Sequence, residues 1–167
     1  MKKDTPPYLD YCASPLGTME IRADDIGIRT LVFLDEGAVR ETVRPHAHTE
    51  QCARELGEYF GGRRAVFTVP LHPVGTEFQK KVWRELSLLP FGKTVTYLDI
   101  SNNLGDAGLS RAVGSANGKN PIWVILPCHR VIGSNGALTG YAGGIHRKKW
   151  LLLHEAALPQ GGLFQTF

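Results

Sequence analysis

Between Pro121 and Tyr141 the chain reads PIWVILPCHRVIGSNGALTGY. No other stretch restricts the fold as much. Ile122–Leu126 is a continuous apolar run, the pattern of a buried strand. Pro127 ends that run, because proline has no amide hydrogen to give to a ladder. Cys128, His129 and Arg130 follow at once. A thiol, an imidazole and a fixed positive charge therefore sit where a buried element meets irregular backbone. Gly133-Ser134-Asn135-Gly136 then predicts a tight turn. A residue held between two rigid elements in this way is well placed to be a nucleophile.

The rest of the 167-residue chain is enough for one ordinary domain or two small ones. No apolar run approaches the roughly 18–20 residues of a membrane span. The start, MKKDTPPYLDY, has no apolar core of a secretory signal. The expectation is a cytoplasmic protein with no membrane partner. The three cysteines, Cys12, Cys52 and Cys128, match no metal or disulfide framework and should be free thiols.

Charge is divided unevenly. Residues 1–60 hold seven Lys/Arg against eleven Asp/Glu, and residues 61–167 hold twelve against five. From Ala107 to His154 there is no acid, while Arg111, Lys119, Arg130, Arg147, Lys148 and Lys149 all fall there. Such a half fits an anionic partner, nucleic acid first, or the solvated face of an enzyme.

The expected fold class is α+β. Tyr8–Cys12, Met19–Arg22 and Ile28–Leu34 predict a small antiparallel sheet, with turns at Ser14-Pro15-Leu16-Gly17 and Asp24-Asp25-Ile26-Gly27. Thr49–Phe60 has helical periodicity and stops at Gly61-Gly62. Arg63–Pro73 predicts a short strand and linker, which puts an N-terminal domain at 1–73 and a mostly helical one at 74–167. In the second, Thr76 caps a helix Glu77–Leu88 and Pro90-Phe91-Gly92 breaks it. Thr96 caps Tyr97–Leu104, a turn spans Gly105–Leu109, and Ser110 caps Arg111–Asn117. Two short helices about a glycine-containing turn form a helix-turn-helix pattern, which serves DNA binding in some proteins and plain packing in others. A last helix covers Ile145–Ala157.

Two features bear on chemistry. Ser110, Ala112, Gly114 and Ala116 surround a single long cation, Arg111, so this helix can approach something flat or narrow, or else pack closely on another helix, which accounts for the small residues equally well but not for Arg111. Cys128 needs a base, because the thiolate and not the thiol is the nucleophile. His129 is adjacent, and Glu155 is the only acid after Asp106. Glu155 shares a helix face with Lys148 and Leu151/Leu152, so it should point inward and needs a partner, His129 or Arg130. Cys128–His129–Glu155 reads either as a relay or as a buried thiol beside a structural His–Glu pair.

The ordered set Gly75-Thr76-Glu77-Phe78-Gln79, Val82-Trp83, Pro90-Phe91-Gly92, Thr96-Tyr97, Ser110-Arg111-Ala112-Val113-Gly114, Asn120-Pro121, Pro127-Cys128-His129-Arg130-Val131, Tyr141-Ala142-Gly143-Gly144 and Trp150–Glu155 resembles the O6-alkylguanine-DNA alkyltransferases. The resemblance is dense over residues 75–157 and loose over the first 60. It implies a ribonuclease-H-like N-terminal layer. It also implies a protein that binds double-stranded DNA, flips out O6-alkylguanine and takes the alkyl group onto Cys128 once, with no metal or cofactor. Arg111 matches the intercalating arginine. Ser110, Ala112, Gly114 and Ala116 would lie along the groove. Tyr97 would turn the nucleotide and protonate the departing guanine, and Asn120 would brace the turn. His129 would act as base through a water, oriented by Glu155, with Lys148 near the pocket. The carbonyls of Cys128 and Val131 would read the guanine amino group, backbone N–H groups near Tyr141-Ala142 would face its oxygen, and Tyr141 would wall the pocket.

Ala142 stands where some members have serine, and Thr139 where some have glycine. Thr139 is expected to narrow access, so O6-benzylguanine should react more weakly than methylated DNA. Some members hold a structural zinc in this half, but beyond Cys12 and His72 its ligands are not evident, so no metal is expected and Cys12 and Cys52 read as plain core or surface thiols. His46, His48 and His146 are expected to be solvated. The alternatives are a non-catalytic sensor of alkyl lesions, which in the related group lacks the cysteine, and a cysteine hydrolase with a Cys-His-Glu relay. The protein is expected to be a monomer, with cooperativity on DNA left open.

Overall fold

The computed structural model describes residues 4–156. Contacts divide the chain at Val74/Gly75 into two units. In the first, β1 (Tyr8–Cys12), β2 (Met19–Ala23) and β3 (Ile28–Phe33) form an antiparallel sheet in chain order. The hairpin register is Tyr8↔Ala23 to Cys12↔Met19, closed by reciprocal Ser14–Gly17 backbone bonds of 3.1 Å. Alternation puts Met19, Ile21 and Ala23 on the buried face. Helix α1 (Ala47–Phe60) covers that face with Cys52, Leu56 and Tyr59. It begins two residues before the predicted start. His46 is its N-cap: Nδ1 accepts from the His48 amide at 3.1 Å, and the ring stacks on Tyr8 at 4.2 Å. His46 is therefore a structural residue and not a solvated one.

Arg63–Pro73 forms no strand. Only a parallel bridge between Ile28 and Leu71 is made, through Ile28 N–H to Pro70 O and His72 N–H to Ile28 O. Pro70 and Pro73 lack the donors that would extend it.

In the second unit, α2 (Glu77–Ser87) starts at Thr76 with a capping box closed by Gln79. Its buried Val82, Trp83 and Leu86 face α3 (Tyr97–Asn103) and α4 (Ser110–Gly118). Trp83 Nε1 donates to Ala116 O at 2.9 Å. Thr96 caps α3 as expected. Ser110 does not cap α4. A 3-10 turn at Ala107–Leu109 runs directly into the helix, so Leu109 is the cap position and the Ser110 hydroxyl turns back to Ala107 O.

The largest departure is at Ile122–Leu126. This run is a turn and not a strand, although Ile122, Val124 and Leu126 are buried as its apolarity requires. Cys128–Arg130 is a single 3-10 turn, and Val131–Ile132 (β5) pairs in parallel with Val95–Thr96 (β4). Helix α5 covers Ile145–Ala156. Its predicted last residue, Ala157, lies outside the described residues. Among the described residues no helix is long and apolar enough to cross a membrane.

Candidate active site

Asn120 explains why the apolar run turns. Its Oδ1 accepts from Ile122 N–H at 2.9 Å and its Nδ2 donates to Leu126 O at 2.8 Å. One buried side chain thus bridges both ends of the loop. Within it, Val124 has φ +71°, a left-handed conformation that is strained for a β-branched residue. The strained turn delivers Pro127 and Cys128, whose N–H donates to Leu126 O at 2.7 Å.

Cys128 is 3% exposed. Burial pushes its thiol up to about 11, against the pull of the Asn120 amide and the Lys148 ammonium. The resting group is a thiol, so a base is required. His129 Nε2 lies 2.7 Å from Glu155 Oε1, and both residues are buried. Arg130 holds the same carboxylate through Nε and Nη2, each at 2.9 Å. Burial opposes the charge on Glu155, yet His129 and Arg130 together keep it well below the usual carboxylate range. Burial lowers the His129 pKa despite Glu155. These two directions are compatible because Arg130 carries the countercharge, so an anionic Glu155 faces a neutral imidazole. Nε2–H then donates to Glu155, and Nδ1 is left as an acceptor. Nδ1 is buried and has no hydrogen-bond partner among the described residues. No hydrogen bond joins it to Sγ.

Two further contacts fix Glu155 and Arg130. Gly92 N–H donates to Glu155 Oε2 at 3.3 Å, and Arg130 Nη1 donates to Leu89 O at 2.7 Å. The Arg130 guanidinium also sits 5.7 Å over the Phe91 ring. The Pro90-Phe91-Gly92 turn is thus built into the site, which its role as a helix breaker does not reveal.

Lys148 is fully buried, and its Nζ donates to Val131 O at 2.6 Å, Thr139 O at 2.9 Å and Gly140 O at 3.3 Å. Burial lowers its pKa to about 8, with Cys128 acting in the opposite sense. Tyr97 OH lies 3.3 Å from both Thr139 O and Thr139 Oγ1. A pocket of about 240 Å³ opens beside the thiol. Of the expected residues, Tyr97, Gly114, Cys128, Tyr141 and Ala142 line it. Val131 and Thr139 do not line it, and the carbonyls of both accept from Lys148. Asn117, Gly118 and Gly140 line it without having been singled out in the sequence.

On α4, Arg111 and Ala112 are exposed and Ser110 and Gly114 are half-buried. Arg111 has no ion pair or hydrogen bond among the described residues. Ala116 is buried against Trp83, so it does not belong to the outward stripe. Cys12 Sγ and His72 make separate contacts, to Ala53 O and to Asp24 Oδ2 respectively. Among the described residues no three His, Cys, Asp or Glu side chains are grouped to hold a metal.

Comparison with known proteins identifies the family. Residues 77–157 match the model of the 6-O-methylguanine DNA methyltransferase DNA binding domain, and residues 8–73 match that of the ribonuclease-like domain of the same family. The methylated-DNA–protein-cysteine methyltransferase of Methanosarcina acetivorans is 43% identical, over 90% of this chain and 99% of that protein. The protein of the same name from Mycobacterium bovis is 52% identical, over 83% of this chain and 86% of its own. The crystal structure of the Mycobacterium tuberculosis O6-methylguanine methyltransferase superposes with a TM-score of 0.81 at 39% identity, covering 90% of this chain and 93% of that one. A structure of the OGT protein of the same organism in complex with DNA gives 0.79 at 38%, covering 90% and 94%. On both the matched models and the full-length relatives, the chain belongs to the 6-O-methylguanine DNA methyltransferase family.

Proposed function

We propose that this protein repairs DNA by direct reversal. It flips O6-alkylguanine, chiefly O6-methylguanine, out of the duplex and moves the alkyl group irreversibly to Cys128. The observation that carries the reading is a buried thiol at a pocket wall beside a neutral imidazole whose open nitrogen has no partner among the described residues.

The steps follow from these groups. Everting a base requires a few kcal/mol, and a side chain must fill the gap in the stack. Arg111 is exposed, unpaired among the described residues and flanked by small residues on α4, so it is the filler. Ser110, Ala112 and Gly114 lie along the narrow groove beside it. Tyr97 stands at the mouth of the pocket and turns the nucleotide. His129 Nδ1 takes the thiol proton through a bridging water, and Glu155 stabilises the imidazolium that forms. The thiolate attacks the alkyl carbon, a C–S bond forms, and the C–O bond breaks toward guanine O6. The Ala142 backbone N–H faces that oxygen, and the Tyr97 hydroxyl supplies a proton to the leaving base. Asn120 braces the turn, and Lys148 fixes the pocket loop and favours the thiolate. The thioether has no good leaving group, so each molecule acts once, as a cytoplasmic monomer on duplex DNA.

Mass spectrometry tests this. After incubation with duplex containing O6-methylguanine, Cys128 should carry one added methylene, and Cys128→Ser should carry none. Repaired duplex in molar excess over protein would instead point to a turnover enzyme such as a hydrolase, and binding without a mass change to a lesion sensor.

A further inference from the structure

Thr139 meets the Tyr97 phenol twice. Its hydroxyl Oγ1 donates to Tyr97 OH at 3.3 Å, and its backbone O accepts from the same Tyr97 OH at 3.3 Å. That carbonyl also accepts from Lys148 Nζ at 2.9 Å. Tyr97 is the first residue of α3 and lines the pocket with Cys128, whereas Thr139 does not line it. The Thr139 hydroxyl therefore reaches a reacting base only through Tyr97.

An exposed hydrogen bond between two hydroxyls adds little to folding, because water replaces either partner. Its use lies in the proton that Tyr97 gives up. As the Tyr97 O–H bond breaks and the proton passes to the departing guanine, the phenol oxygen becomes negative until solvent returns a proton. The Thr139 carbonyl alone would face that oxygen with its lone pairs. The Thr139 hydroxyl instead points a donor at it, and a hydrogen bond to the charged form favours that form. When a base arrives, the phenol proton turns from Thr139 O to the base. Lys148 keeps the carbonyl satisfied, and the Thr139 hydroxyl stays on the phenol oxygen. Contacts of 3.3 Å are long for hydroxyls, and such bonds tighten once the reacting partner is in place.

We infer that Thr139 is a positioning residue for the departure of guanine: its hydroxyl orients the Tyr97 phenol and stabilises the negative oxygen left when Tyr97 protonates the base. This rests on the alkyltransferase reading.

The experiment measures single-turnover methyl transfer from duplex containing O6-methylguanine over a range of DNA concentrations. Thr139→Val keeps the shape and loses the hydroxyl. It should lower the saturating rate by on the order of tenfold, the scale of one hydrogen bond to a charged group. The DNA concentration giving half that rate, and the melting temperature, should not move. Thr139→Ser should restore the rate. In a Tyr97→Phe background, Thr139→Val should cost nothing further, since the oxygen it serves is gone. A Thr139→Val protein at the wild-type rate overturns the inference. So does a serine variant as slow as the valine one, or an equal loss with and without the Tyr97 hydroxyl. Each of those leaves repair itself intact. If the wild type takes up no methyl group from this duplex, the repair reading fails and the inference falls with it.

Discussion

His129 Nε2 and Glu155 Oε1 are 2.7 Å apart, and Arg130 Nη2 reaches the same oxygen at 2.9 Å. Oε1 therefore meets groups of different character, a fixed cation and a titratable ring. Arg130 keeps Glu155 ionised, and Glu155 in turn selects the imidazole tautomer.

Glu155→Gln should destabilise the fold by roughly 3–5 kcal/mol, since it leaves Arg130 buried and without its countercharge. The effect has a pH signature. The Glu155 pKa is depressed from 4.5 in the folded protein, so its stabilisation is complete above that value. It fades as the pH falls toward the folded-state value. Chemical denaturation at pH 7 should separate variant and wild type widely, and the gap should begin to narrow only below pH 4.5. A gap independent of pH would count against the ionised pair.

The transfer rate should have a low acid limb. Burial holds the His129 pKa below 6.5, so the neutral base is present at pH 7 and is lost only below 6.5. Single-turnover rates should fall only as the pH drops past that point. His129→Gln should slow transfer at pH 7 by on the order of 100-fold, as loss of a general base does, and should remove this limb. An unchanged limb in the variant would assign it to another group.

Asn120→Ala orphans Ile122 N–H and Leu126 O together and releases the turn that contains strained Val124. Stability should fall by roughly 2–4 kcal/mol, the sum expected for two unpaired buried groups. Methyl transfer should fall further than the folded fraction accounts for, because Cys128 follows that turn. Thermal melts and burst amplitudes on the same sample separate the two effects.

Arg111→Ala should leave the melting temperature unchanged, since Arg111 is exposed and pairs with nothing among the described residues. Repair of a lesion within duplex DNA should drop severely, while reaction with the free base O6-methylguanine should not. Equal losses on both substrates would remove the base-eversion role.

Much of the fold was legible because periodicity and caps agree. The β1–β2–β3 sheet, Thr76 and Thr96 all behave as their residue types dictate. Ile122–Leu126 misled because a short apolar run reports burial and not backbone shape. What bends it is a single side chain, Asn120, that reaches along the loop. The inward placement of Glu155 and Lys148 could be read from helix spacing, since α5 turns both to one buried face. The second carboxylate partner, Arg130, could only be named as an option, because adjacency in sequence cannot tell which of two cations reaches a given oxygen. Asn117 escaped notice for a similar reason. It belongs to a helix of small residues, and only the folded structure shows that it lines the pocket beside Cys128.

The two-residue pairing of Val95–Thr96 with Val131–Ile132 has a wider consequence. Thr96 immediately precedes Tyr97, and Val131 follows the Cys128–Arg130 turn, so the start of α3 and the turn that carries the sulfur are joined through one ladder. A nucleotide that enters the pocket therefore meets an aromatic ring and a sulfur whose backbones are already tied to each other by that short ladder.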